Sequence, residues 1–173
     1  FETIYLPCDA SELAITSQEV NRPGLLLAGN DKYFDPARVQ YLGFSEFEFV
    51  KSFSKEKQLE CIERLFSKQP SVVIITRSLE PLDGMVDFAE KYRVPILRTA
   101  EATSASMSTL IYFLGTALAP RITRHGVLVE VYGEGVLILG DSGVGKSETA
   151  IELVKRGHRL IADAWLKATE AIR

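Results

Sequence analysis

The sequence predicts an α/β protein in two parts, a first domain over residues 1–118 and a glycine-rich second unit over residues 119–173. Three observations carry that expectation. Short β-branched runs alternate with amphipathic segments between residues 13 and 118, a proline-containing polar stretch at 119–124 ends the alternation, and seven of the 12 glycines (126, 133, 135, 140, 143, 145 and 157) crowd into residues 126–157. Tight backbone turns, and the chemistry with them, are expected in that last span.

In the first domain, Val72, Val73, Ile74, Ile75 and Thr76 form an unbroken β-branched run, and Val94-Pro95-Ile96-Leu97-Arg98 a second, mostly apolar one; both read as buried strands. Between and around them the period changes to that of a helix. Residues 55–66 place Leu59, Ile62, Leu65 and Phe66 on one face, and residues 81–92 do the same with Leu82, Met85, Phe88, Ala89 and Tyr92. A third helix is expected after Thr103, carrying Met107, Leu110, Ile111, Leu114 and Leu118. Pro120 and its polar neighbours then read as a linker.

The composition suits a chain with a real core: 173 residues, 46% of them apolar and 25% charged. With 20 basic and 23 acidic residues and a net charge of -3, there is no electrostatic footprint for nucleic acid or an anionic membrane. Cys8 and Cys61 are too few and too far apart for a disulfide scaffold or a CxxC metal site, which points to free, buried thiols in a reducing compartment. No apolar run approaches the roughly 20 residues of a membrane span, and Phe1-Glu2-Thr3 does not begin like a signal peptide. A soluble protein is expected, with residues missing before Phe1, since the chain does not start with Met.

In the second unit an apolar strand at 135–139 leads into Gly140-Asp141-Ser142-Gly143-Val144-Gly145-Lys146-Ser147, followed by a helix-compatible segment at 148–156. This is G-x-x-x-x-G-K-[ST] between a strand and a helix, the P-loop in its required context. Glycines let successive N–H groups turn inward, the helix N-terminus adds positive potential, Lys146 supplies a compact ammonium, and Ser147 offers a hydroxyl to Mg²⁺. Nucleotide binding follows.

Beyond the helix, Leu160-Ile161-Ala162-Asp163 reads as a short strand ending in an acid, either facing the nucleotide's metal or serving as a turn residue. Before the loop, residues 126–132 form another strand, joined to the loop's strand by Gly133-Glu134, a connection short enough only for an antiparallel hairpin. His125, at the start of that hairpin, is open between a structural role and contact with phosphates. His158 reads as a partner of the helix C-terminus.

The run Arg124-His125-Gly126-Val127-Leu128-Val129-Glu130-Val131-Tyr132-Gly133, the octet 140–147 and the run Arg156-Gly157-His158-Arg159-Leu160-Ile161-Ala162-Asp163 together resemble HPr kinase/phosphorylase, as does Asn21-Arg22-Pro23-Gly24-Leu25. The resemblance implies a Mur-ligase-like α/β domain at 1–118. It also implies that 119–173 is the start of a P-loop kinase core similar to phosphoenolpyruvate carboxykinase. The implied activity is phosphorylation of a serine in the phosphocarrier protein HPr and its reversal by phosphorolysis, in carbon catabolite regulation. ATP or pyrophosphate and Mg²⁺ are the implied cofactors, in a cytoplasmic homohexamer.

Carried over residue by residue, the family's catalytic positions match His125, Lys146 and Asp163; its phosphate loop matches Gly140, Asp141, Ser142, Gly143, Val144, Gly145, Lys146 and Ser147; and its metal-binding serine matches Ser147. The family has two adjacent aspartates where this chain has Asp163-Ala164. The second is implied to exchange the proton of the substrate serine, and the family's later Arg-Gly-Leu-Gly motif and metal-binding glutamate have no match here. An incomplete kinase unit is therefore expected, with residues omitted at or after the 163/164 junction. A continuous backbone there would favour a nucleotide-sensing module without turnover, and a small-molecule P-loop kinase is the other alternative.

Overall fold

The structure, a computed structural model, describes residues 1–169. It divides into two compact units, Phe1–Leu118 and Ala119–Arg173, and is a mixed α/β protein. The first unit is a five-stranded sheet in the order β1-β5-β4-β3-β2. Its strands are β1 (Glu2–Tyr5), β2 (Val20–Asn21), β3 (Val39–Leu42), β4 (Val73–Ile75) and β5 (Ile96–Arg98). Strands β2 to β5 are parallel, and β1 runs antiparallel along β5.

The helices are α1 (Gly24–Leu27), α2 (Phe44–Lys51), α3 (Lys55–Ser67), α4 (Met85–Tyr92) and α5 (Thr103–Ala117). The unbroken apolar run in β4 is explained by cover on both faces. Val73 and Ile75 pack with Ile62, Leu65 and Phe66 of α3, and with Met85 and Ala89 of α4. Val72 and Ile74 turn the other way, to Val39, Tyr41 and Leu114. There the Tyr41 hydroxyl and Ser106 Oγ, 3.1 Å apart and buried, tie α5 to the sheet.

Helix α3 starts as the sequence predicts, with Ser54 Oγ accepting from the Lys57 N–H at 3.4 Å. Helix α4 does not: it begins at Met85 instead of Pro81, because Gly84 is left-handed (φ 81°) and breaks the helical path. Of the two free cysteines, Cys61 is buried as expected and Cys8 is only partly so.

The second unit contains β6 (Arg121–Val131), β7 (Glu134–Ile138), α6 (Lys146–Lys155) and β8 (Arg159–Thr169), with sheet order β7-β6-β8. Both pairings with β6 are antiparallel. Strands β7 and β8 are thus parallel to each other with β6 between them, and α6 is the crossover. Val127 and Val129 pack on Ala150 of α6, with Val131, Ile138 and Leu153 around them.

Two expectations are corrected here. The hairpin turn is Tyr132-Gly133, one residue earlier than Gly133-Glu134, and both residues have positive φ (52° and 86°), the signature of a type I′ turn. Residues 121–124 are not linker: they are the start of β6, paired with Leu166 to Thr169. Strand β8 runs through Asp163 and Ala164, and the last residues of the sequence, 170–173, lie outside the described part.

Candidate active site

Strand β7 ends at Ile138 and the chain enters the glycine loop at Gly140, where three glycines hold the turn in conformations that other residues rarely adopt: Gly140 (φ 159°), Gly143 (φ 85°) and Gly145 (φ 93°). Gly145 is the N-cap of α6 and offers no side-chain acceptor, so the first N–H groups of the helix remain open to an anion. Thr149, which the sequence reading passed over, anchors this end by bonding the Gly145 carbonyl through both its N–H and its hydroxyl, each at 2.9 Å. Its signal was its place four residues after the N-cap.

Lys146 Nζ donates to the carbonyls of Gly140 (2.8 Å) and Asp141 (2.7 Å), which folds its ammonium back over the loop. Ser147 Oγ donates to Asp163 Oδ2 at 3.3 Å. Sheet register explains that meeting. Val127 pairs with Ile138 on one side and with Asp163 on the other. Asp163 therefore stands level with the point where the loop leaves β7, and on the α6-covered face that Val127 occupies.

His125 is two residues from Val127 along β6, so alternation puts it on the same face, diagonal to Asp163 at roughly 7–8 Å between Cα atoms. Ala164 pairs with Gly126 and faces the opposite side of the sheet. Position 164 is thus turned away from the loop, and the carboxylate on the loop side is Asp163.

The donor set suits a hard divalent cation. The Ser147 hydroxyl and the Asp163 carboxylate are exposed oxygen donors, the kind that could hold Mg²⁺, which takes one or two protein oxygens with phosphate and water completing its octahedron. Among the described residues no cluster of three or more His, Cys, Asp or Glu forms a self-sufficient metal cage.

His158 lies at the C-terminal end of α6, where the sequence reading puts it. Its N–H bonds the Leu153 carbonyl (3.1 Å) while the Gly157 N–H bonds that of Val154 (3.0 Å), a Schellman ending for α6, and its ring meets Tyr132 edge-on at 4.9 Å. Among the described residues no helix is long and apolar enough to cross a membrane.

Comparison with known proteins covers nearly the whole chain. The family model for the HPr Serine kinase N terminus matches residues 1–114, and that for the HPr Serine kinase C-terminal domain matches residues 116–172. An HPr kinase/phosphorylase of Caldicellulosiruptor bescii is 54% identical over 152 residues, 88% of this chain and 49% of that protein. Those of Lachnoclostridium phytofermentans (45% over 155 residues; 90% and 50% covered) and Lactococcus lactis subsp. lactis (44% over 163 residues; 94% and 53% covered) are similar too. The chain spans about half the length of the curated relatives it matches. With both family models accounted for, one on each unit, the chain belongs to the HPr serine kinase family.

Proposed function

We propose that this chain carries the nucleotide-binding part of an enzyme that transfers phosphate from ATP to a serine of HPr and reverses the transfer by phosphorolysis. The observation that carries this reading is the juxtaposition of Ser147 and Asp163 at the mouth of the glycine loop. In the forward direction the serine oxygen attacks the γ-phosphorus, its proton passes to the Asp163 carboxylate, and ADP leaves. In reverse, an oxygen of inorganic phosphate attacks the phosphoserine phosphorus, pyrophosphate leaves, and the serine oxygen recovers a proton from Asp163.

The residues divide the work. The N–H groups of 140–147 cradle the phosphates, Lys146 exchanges its two loop carbonyls for phosphate oxygens, and His125 contacts the transferring group or the incoming phosphate. Ser147 would hold Mg²⁺, which neutralises phosphate charge when bound, leaving the Asp163 carboxylate free to take the proton. Ala164 does not count against turnover on this reading, because its side of the sheet is not the loop's side. Residues 1–118 would form the N-terminal domain and 119–173 the beginning of the kinase domain, in a cytoplasmic homohexamer.

Two measurements test the reading. Incubation with HPr and labelled ATP is expected to label the HPr serine, and added phosphate to release labelled pyrophosphate; ATP binding without either step would instead mark a nucleotide-sensing module. Lys146→Ala is expected to weaken ATP binding at least tenfold, the scale of one lost charge-assisted contact, with thermal melting unchanged. Unchanged ATP affinity would defeat the loop assignment.

A further inference from the structure

The Asn21-Arg22-Pro23-Gly24 run takes no part in the chemistry of the glycine loop, yet it builds a cavity. We propose that this cavity, at the carboxyl end of β2, is a separate binding site for a small organic anion with a carboxylate or phosphate head on a short apolar body. Its volume is about 210 Å³, equivalent to roughly seven waters at liquid density. In open parallel sheets the carboxyl ends of the strands are where ligands collect.

Arg22 is the anchor. One edge of its guanidinium is locked by Glu46, with Nε donating to Oε1 at 3.0 Å and Nη2 to Oε2 at 2.9 Å. Glu46 is itself only 7% exposed and also accepts the Gly43 N–H at 3.0 Å. The guanidinium is thereby fixed in orientation while remaining 43% exposed. Among the described residues nothing accepts from Nη1, so Arg22, which lines the cavity, keeps donors free in the fixed geometry that matches carboxylate and phosphate.

The rest of the lining agrees. The Asn30 side-chain oxygen accepts the Lys32 N–H, and among the described residues nothing accepts from its amide donors. Arg38 Nε is buried without a hydrogen-bond partner among the described residues, since the Asp35 carboxylate lies 3.4 Å away but off the bonding axis. The carboxylates beside the two arginines, Glu46 at Arg22 and Glu19 and Asp35 at Arg38, do not line the cavity, so the charged side chains that do are both cationic. Leu25, Leu26 and Phe34 supply an apolar floor for the ligand's body.

The test is titration of the ¹⁵N-labelled full chain with benzoate and, separately, phenyl phosphate, followed by amide chemical shifts. Saturable shifts at residues 21–38 are expected for at least one probe, and the probe that binds identifies the head group. Arg22→Lys, which keeps the charge and loses the fork, is expected to weaken that binding at least tenfold. Asn30→Asp, which keeps the acceptor for the Lys32 N–H on an exposed turn, is expected to do the same by repulsion and carries the test if Arg22→Lys fails to fold. Shifts absent from 21–38 with both probes, shifts confined to 140–147, or binding unchanged in Asn30→Asp would each overturn the proposal. Shifts at 140–147 report the glycine loop separately, so the two sites stand or fall independently.

Discussion

The two units bury their apolar residues to very different degrees. In the first, helices cover both sheet faces, and Val39, Tyr41, Phe66, Val73, Ile75 and Ile96 are fully enclosed. In the second, the buried cluster among the described residues is Val127, Val129 and Ala150, while Leu139, Val144, Ile151, Val154, Leu160 and Ile161 keep between 42% and 63% of their surface. A three-stranded sheet with one helix on one face cannot hide more. The phosphate loop is carried by the unit with the smaller buried cluster among the described residues.

The comparison is broken most decisively by separating the units. Residues 1–118 expressed alone are expected to melt cooperatively, because two packed faces complete their core. Residues 119–173 alone are expected to show no cooperative transition, at a size where a single small core is marginal. A molten, protease-sensitive 1–118 fragment would remove the basis of the contrast.

Point substitutions sharpen it. Phe66→Ala, at a site with no exposure, is expected to cost about 3–5 kcal/mol in denaturant unfolding. Ile151→Ala, on the exposed face of α6, should stay within about 0.5 kcal/mol. Equal losses would mean that the second unit is better covered than its surface indicates.

A smaller effect is expected at Gly126, where an added Cβ would lie 2.8 Å from the Ile138 carbonyl oxygen. Gly126→Ala should destabilise the hairpin by about 1–3 kcal/mol, seen as faster amide exchange in β6 and β7 with protection in β3 and β4 unchanged. Loss of protection in both units would show that they unfold together.

The smallest effect is a titration. Burial beside Ser106 pushes the Tyr41 phenol above its ordinary range, with the Ser106 hydrogen bond opposing and Glu101 adding to the rise. The folded state then holds the proton more tightly than the unfolded one, so stability falls as pH climbs past about 10, the unfolded phenol value. A phenol ionisation above the ordinary tyrosine range is expected by ultraviolet difference absorbance, and Tyr41→Phe should remove that late step. An early, reversible ionisation would contradict the burial of α5 against the sheet.

What could be read from residue order was what depends on near neighbours. Helices α3 and α5 follow from apolar spacing, and the loop at 140–147 from an octet whose glycines, lysine and serine act on each other within one turn. Strands of two to four residues such as β1, β2 and β3 carry no pattern long enough to identify them; they exist because a neighbouring strand pairs with them. Tertiary structure alone decided that Val127 lies between Ile138 and Asp163, that Asp163 rather than position 164 faces the loop, and that Arg22 meets Glu46, 24 residues away. Alternation specifies two faces of a strand but not its partner or its register; those are settled when one face is buried, and a one-residue slip would have exchanged Asp163 for Ala164.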